Sequence, residues 1–211
     1  MKWTLLPLFW LLSNSSHGQP RPTDYRISFQ QDSALRKWTG SIPGFTPDAF
    51  IYEATSDFDQ FSPDTLSGKD AATYFNTYGG LLNFSPDKKQ WLDFYSYQVA
   101  LEKAPGGRYH AYIEADQALL LGNAAAHTHR RIAFMGASSW IEEASWINNH
   151  TFVAVGVTNV TKGLEPFIYI GDTRVRQLYR YHPSNDRYNR NPDHKYVSWQ
   201  WAKMASRIIE E

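Results

Sequence analysis

Cysteine is absent from the 211 residues of this chain. Disulfide bonds, thiol nucleophiles and Cys-ligated zinc sites are therefore excluded, and a folded domain must be held together by its hydrophobic core alone. An excess of either charge is missing too, since 21 basic residues balance 21 acidic ones. Without the positive surplus that a polyanion attracts, we expect no nucleic-acid partner.

Sequence signatures of catalysis are lacking as well. The chain contains no Gly-x-Ser-x-Gly elbow, no phosphate-binding glycine loop and no dinucleotide fingerprint. The sequence therefore predicts no cofactor and identifies no catalytic residue.

Only one apolar run is prominent, and it lies at the start of the chain. Lys2 precedes an apolar stretch over residues 3–12, and small polar residues follow, with Ser16 and Gly18 at the −3 and −1 positions of a cleavage site. The stretch is shorter than the roughly 20 residues that span a membrane, and later runs are shorter still. We predict a signal peptide at 1–18, one domain at 19–211 without a membrane span, and a periplasmic or extracellular location. Export without cysteine is more typical of a bacterial protein.

Aromatic residues are abundant, at 16% of the chain, with 8 Trp, 13 Tyr and 12 Phe. Flat side chains favour the pleated surface of a strand. Two such runs, 91–103 and 108–116, flank a Pro-Gly-Gly turn and indicate a hairpin, and residues 151–181 indicate a meander. About ten short strands predict a mainly β fold of antiparallel sheets, arranged as two blade-like sheets or a sandwich.

Helical patterns are few. Residues 69–78 are typical of a short internal helix that ends at Gly79-Gly80. Apolar residues after Ser198 recur at helical spacing and predict an amphipathic C-terminal helix over 198–211, with Ser198 as N-cap; they are Trp201, Met204, Ala205, Ile208 and Ile209. We expect this helix to dock on the sheets, with a partner-binding or membrane-surface helix as the alternative. Region 19–44 is polar; its first residues, GQPRPTD at 18–24, are expected to be a loose entry, and residues 25–29 a short strand.

One stretch resembles a known family. The sequence NFSPDKKQWLDFYS, residues 83–96, is a Phe-Ser-Pro-Asp turn followed by an aromatic strand, and FSPD also occurs at 61–64. Both this stretch and residues 144–157 resemble blades of the exported TolB-like β-propeller proteins. The resemblance covers about residues 81–181 and implies blade-like antiparallel sheets. Since a blade takes ~40–45 residues, this region has room for about two, whereas a closed propeller would need nearly every residue after 18.

Two clusters of residues resemble metal ligands. His127 and His129 lie two positions apart, with His110 as the nearest third candidate for zinc. Oxygen ligands for calcium are offered by Asp57, Asp59, Asp64 and Asp70, but their spacing lacks the order of an EF-hand loop. We therefore expect exposed loop side chains in both regions and predict no bound metal.

Carboxylate pairs offer the remaining route to catalysis. Glycoside hydrolysis needs two carboxyl groups facing each other across a cleft. The pairs in this chain are Glu114 with Asp116, expected on one strand face, and Glu142 with Glu143, which lie near Trp140 and Trp146. Such pairs are common on sheet surfaces, and sequence alone does not place them across a groove.

The aromatic surplus favours binding over catalysis, because Trp and Tyr supply much of the energy at binding surfaces. The sequence therefore predicts an exported, non-catalytic β-rich binding or scaffolding domain whose partner is a protein or a glycan. The alternative is a small secreted polysaccharide hydrolase that uses a carboxylate pair beside tryptophans.

Overall fold

The structure is a computed structural model that describes residues 18–193 and 196–209. Apart from Gly18, the predicted signal peptide lies outside the described residues. Four α-helices are described: α1 Arg26–Gln31, α2 Ser33–Gly40, α3 Gly68–Tyr78 and α4 Trp199–Met204. None of the helices in this part of the chain is long and apolar enough to cross a membrane.

Thirteen strands make up more of the described chain than the helices do. They are β1 Phe50–Asp57, β2 Asp64–Thr65, β3 Asn83–Phe84, β4 Gln90–Asp93, β5 Val99–Ala104, β6 Arg108–Ile113, β7 Gln117–Asn123, β8 Thr128–Met135, β9 Ser139–Trp146, β10 Thr151–Val160, β11 Gly163–Asp172, β12 Gln177–Pro183 and β13 Ile208–Ile209. Sheet I has the order β1-β12-β11-β10-β9, sheet II β2-β8-β7-β4-β3 and sheet III β13-β6-β5. All strand pairs are antiparallel except β13 with β6. The predicted mainly β, antiparallel fold class is confirmed.

Sheets I and II pack face to face over a shared core. Strand β10 of sheet I shows how the sequence builds it, because successive side chains of a strand point to opposite faces. Phe152 and Ala154 enter the core shared with Leu92 and Leu119 of sheet II. A sandwich of two sheets follows from this packing.

Helices cover the outer faces of both sheets. On sheet I, the alternate β10 residue Val153 packs with Leu35 and Trp38 of α2. On sheet II, Trp91 packs with Tyr74 of α3, the predicted internal helix. The order of layers is therefore α1 and α2, sheet I, sheet II, α3.

The strand predicted at residues 25–29 is wrong, because this region is helical. Phe29 in α1 and Leu35 and Trp38 in α2 are buried against sheet I. Asp32 caps α2 by accepting hydrogen bonds from the backbone N–H groups of Ala34 at 3.0 Å and Leu35 at 2.9 Å. The spacing of the buried side chains is helical over two short segments, which is too little repetition for the pattern to stand out.

The C-terminal helix is present but shorter than predicted. It ends at Met204, a 3₁₀ turn follows over Ala205–Arg207, and Ile208 and Ile209 form β13 beside β6. Met204 is buried in the core between the sheets, and Ile208 packs against it. The C-terminal residues 199–209 therefore pack against the sheets, as expected. The two β-branched isoleucines favour an extended chain once the edge of β6 is within reach.

Candidate functional site

A cleft of about 600 Å³ lies beside the C-terminal segment, residues 190–193 and 196–201; we call it the tail cleft. Its lining comes from this segment, from strands β5, β6, β7, β9, β10 and β11, and from Tyr95 and Gln98. The lining side chains are Tyr95, Gln98, Val99, Ile113, Gln117, Trp140, Ile141, Glu142, Asn159, Leu164, Arg190, Pro192, Tyr196, Val197, Ser198 and Trp201. Aromatic and aliphatic groups dominate this lining.

A bulge in β9 forms one wall of the tail cleft. Glu143 pairs with Val155 of β10 while Ile141 pairs with Gly156, which leaves Glu142 as the extra residue. Two consecutive carboxylates thereby both contact the C-terminal segment, although a regular strand would point them to opposite faces. A Cβ on Gly156 would lie 2.0 Å from the Trp140 carbonyl oxygen, so the bulge requires glycine here.

Buried Gln117 satisfies the backbone of this bulge. Its Oε1 accepts a hydrogen bond from the Ile141 N–H at 2.6 Å, and its Nε2 donates to the Ile141 carbonyl at 3.2 Å and to Gln98 Oε1 at 3.1 Å. Unpaired backbone groups at this depth would be costly. Gln117 therefore fixes the wall that carries Glu142.

A buried ion pair joins that wall to the C-terminal segment. The Arg190 guanidinium donates to Glu142 Oε1, and the two side chains are only 3% and 5% exposed. Glu142 Oε2 also accepts from Trp38 Nε1 at 2.9 Å, and Arg190 donates to Ser41 Oγ at 3.0 Å. The backbone of Arg190 is held by two 2.9 Å hydrogen bonds with Leu164. Each charge is thus neutralised by a fixed partner.

Glu143 contacts the same segment but is buried behind the tail cleft and does not line it. Its Oε1 accepts from the Tyr196 hydroxyl at 2.8 Å and from the Trp199 N–H at 2.5 Å. Oε2 has no hydrogen-bond partner among the described residues. Burial raises the pKa of Glu143 from its ordinary 4.5 to about 7, because desolvation disfavours the charged form.

The start of α4 completes the opposite wall. Ser198 caps the helix by accepting a hydrogen bond from the Trp201 N–H at 3.0 Å, and its hydroxyl bonds to that of Tyr95. The Tyr95 ring stacks on Trp201 with centroids 5.8 Å apart and an interplanar angle of 22°. These contacts fix the indole of Trp201, which lines the same cleft as Trp140 of β9.

Apolar and neutral polar side chains predominate in the lining of the tail cleft. Glu142 is the only carboxylate among the lining residues described, and it is engaged by Arg190 and Trp38. Glycosidase chemistry needs a second carboxyl group facing the substrate. The lining instead offers indole faces and neutral amides such as Asn159.

The other predicted carboxylate pair lies outside the tail cleft. Glu114 and Asp116 lie in the connection between β6 and β7, exposed to solvent, so the expectation that they share a strand face is wrong. Trp146 belongs to the core, where its Nε1 donates to the Asn83 carbonyl at 2.9 Å.

The predicted metal-ligand candidates are dispersed. His127 lies in the turn between β7 and β8, His129 lies on β8 of sheet II, and His110 lies on β6 of sheet III. Asp64 Oδ2 lies 3.9 Å from His129 Nε2, whereas Asp59 forms ion pairs with Arg130 and Arg176. Within residues 18–193 and 196–209, no three His, Asp or Glu side chains are grouped to hold a metal ion.

The remaining aspartates are separate from these. Asp57 ends β1, and Asp70 lies in the first turn of α3. Neither lines the tail cleft.

Sequence reasoning missed the residues that organise the site. Arg190 and Tyr196 lie in a polar segment that resembles a solvated turn, and Gln117 precedes an apolar strand without any motif. The only available signal was the adjacency of Glu142 and Glu143 to tryptophan. Comparison of the chain with family models, characterised proteins and solved structures finds no significant match.

Proposed function

We propose that this chain is an exported, non-catalytic binding domain whose tail cleft holds a neutral glycan segment. The observation that carries the proposal is the cleft lining, in which two indoles, of Trp140 and Trp201, accompany neutral amides while the one carboxylate is ion-paired. Its volume of about 600 Å³ lies within the ~300–1,000 Å³ range of small-molecule sites.

A glycan suits this chemistry better than a charged ligand does. Sugar rings present apolar C–H faces to aromatic side chains, and their hydroxyls exchange hydrogen bonds with amides such as Gln98 and Asn159. Since the charges of Glu142 and Arg190 cancel, the lining residues described carry no uncompensated charge that would select an ionic ligand. The tryptophans would provide most of the affinity.

A polysaccharide hydrolase is the second candidate, favoured by one observation. Glu143 has a pKa raised to about 7, a value suited to a general acid. However, this carboxyl is buried and does not line the cleft, and Glu142 beside it is held by Arg190. Binding without turnover accounts for both facts.

The test is a calorimetric titration with soluble neutral polysaccharides, namely β-glucan, xylan, mannan and starch. We expect one of them to bind and Trp140→Ala to weaken that binding at least tenfold, since a large contact surface is lost. The matched control is Trp199→Ala, which removes an exposed indole that does not line the cleft. It should leave the affinity unchanged.

Turnover is measured in the same samples by the release of reducing ends. The proposal predicts none. Hydrolysis of any member of the panel that is abolished by Glu142→Gln or Glu143→Gln would contradict it and establish the hydrolase.

A further inference from the structure

A second cleft, of about 640 Å³, lies where the turns of sheets I and II meet; we call it the turn cleft. It shares no lining residue with the tail cleft. Its lining is Phe58, Pro63, Lys89, Gln90, Leu121, Gly122, Asn123, Ala125, Ala126, Thr128, Arg130, His150, Thr173, Arg174 and Arg176.

Hydrogen bonds between turns hold this cleft in shape. The Ala124 N–H donates to the Lys89 carbonyl at 2.9 Å, and the Thr173 N–H donates to the His150 carbonyl at 2.8 Å. Gln90 Nε2, from sheet II, donates at 3.2 Å to the carbonyl of Asn149, in the turn that joins β9 and β10 of sheet I. The two sheets are thus tied together around the cleft.

The charge of the lining has one sign. Lys89, Arg130, Arg174 and Arg176 contribute cations, whereas no Asp or Glu is among the lining residues described. Such a lining favours an anion, because its four cations are paired with only three carboxylates, those of Asp59, Asp87 and Asp172.

Carboxylates outside the lining hold the guanidinium groups in place. Asp59 accepts from Arg176 Nε at 2.9 Å and Nη2 at 2.5 Å, and also from Arg130. The hydrogen bond from Arg176 is the main reason that the pKa of Asp59 is lowered to about 2. Asp172 accepts from Arg174 at 2.8 and 3.3 Å. A guanidinium has five N–H donors, so each side chain keeps donors beyond those used in these pairs.

The backbone of Arg176 adds an independent observation. Its φ is +59°, a left-handed conformation in which glycine is favoured. Lys88 at +60° and His127 at +50° occupy the corners of two neighbouring turns. Residues held in such conformations cluster at functional sites, and the strain persists because the surrounding structure fixes the backbone.

We propose that the turn cleft binds a phosphate or sulfate ester group. Arginine matches the oxygens of these anions with paired N–H donors, and a preformed set of cations loses little side-chain freedom on binding. Arg174 and Arg176 would be the main ligands, with Lys89 adding charge and Thr173 a hydroxyl. This site is separate from the proposed glycan site and does not depend on it.

The test is calorimetry of the purified protein with two probes, inorganic pyrophosphate and sucrose octasulfate, at low ionic strength and again in 0.5 M NaCl. We expect at least one probe to bind and the salt to weaken it, since exposed charges are screened. Binding of pyrophosphate alone indicates a phosphate ester, and binding of the octasulfate alone indicates a sulfate ester. Either result supports an anion site.

Variants separate this site from general surface charge. Arg174→Ala and Arg176→Gly should each lower the affinity at least fivefold, and Arg176→Gly should keep or raise the melting temperature because glycine suits the local φ. Arg26→Ala removes an exposed arginine of the Arg26–Asp48 pair and should leave affinity unchanged. Absence of binding for both probes, or equal affinity for wild type and both cleft variants, would overturn the proposal.

Discussion

Glu143 keeps a carboxyl group in the interior beside an aromatic hydroxyl and a helix N-terminus, without a cationic hydrogen-bond partner among the described residues. Glu142, one residue earlier, is fully ion-paired with Arg190. Removing either member of the ion pair would leave a buried charge uncompensated, at a cost of about 3–5 kcal/mol.

The raised pKa of Glu143 predicts the direction of a pH effect on stability. Below about pH 4.5 the group is protonated in the folded and unfolded states, so its contribution to stability is fully present. As the pH rises through about 7 this contribution is lost, because ionisation is easier in the unfolded chain. The loss is about 3 kcal/mol, since a tenfold change in acidity is worth about 1.4 kcal/mol.

Glu143→Gln should remove this pH dependence, because the amide stays neutral while its oxygen still accepts from Tyr196. We expect the variant to be more stable than wild type at pH 8 and similar at pH 4.5, measured by urea unfolding. The control Glu102→Gln alters an exposed carboxylate of β5 and should follow wild type. A parallel pH profile for Glu143→Gln and wild type would contradict the account.

The sequence indicated only some of the residues that form the tail cleft. Glu142, Glu143 and Trp140 are close along the chain, so a local pattern could mark them. The groups that neutralise Glu142 are remote, since Arg190 lies 48 residues away and Trp38 lies 104 residues away. Their contact depends on how α2 and the C-terminal segment pack on β9, which no local spacing encodes.

Among the elements, the bulge of β9 controls the tail cleft. It places Glu142 against Arg190 and exposes Trp140 to the cleft, and it depends on the absence of a side chain at Gly156. An added Cβ would meet backbone on one side and the Phe167 ring, 2.6 Å away, on the other. Neither this backbone nor the Phe167 ring can move away from the added Cβ without disturbing the pairing of β9, β10 and β11.

Gly156→Ala should therefore destabilise the fold by about 1–3 kcal/mol, the usual range for overpacking. Urea unfolding measures the change, and glycan affinity should fall with it because the cleft wall moves. Gly40→Ala is the matched control, since a Cβ there meets nothing within 4 Å. Equal stability of Gly156→Ala and wild type would mean that the bulge is not constrained as described.

Elements with a strong local pattern could be predicted, and those shaped by packing could not. Residues 69–78 matched α3 within one residue because a helical pattern meets a Gly-Gly stop. Segment 25–40 is polar on average, and only its contact with sheet I selects the helical form of α1 and α2. Ile208 and Ile209 were predicted to be helical but form a strand, because they pair with the edge of β6.

Across the whole molecule, the alternating pattern of aromatic strands predicted the antiparallel sheets, while the layering followed from both faces of sheet I being apolar. Strand β10 is buried almost throughout, with Phe152 facing sheet II and Val153 facing α2. An alternating sequence would expose one face. Because both faces of β10 are apolar, another layer must cover the outer face of sheet I. The spacing of apolar residues did not predict that α1 and α2 form this layer.

Export is a separate prediction for the whole chain. If residues 1–18 are a signal peptide, protein recovered from the periplasm or medium of the native host should begin at Gln19. N-terminal sequencing measures this directly. Intact Met1 in a cytoplasmic fraction would contradict it.

The central claim, that the tail cleft is a glycan-binding site, is tested most directly by the indole N–H signals in a ¹⁵N NMR titration with the best-binding neutral glycan. Assignments come from single Trp→Phe variants. We predict that the signals of Trp140 and Trp201 shift in a saturable way while those of the core residues Trp91 and Trp146, which do not line the cleft, stay in place. Saturable binding that leaves Trp140 and Trp201 unmoved would contradict the account.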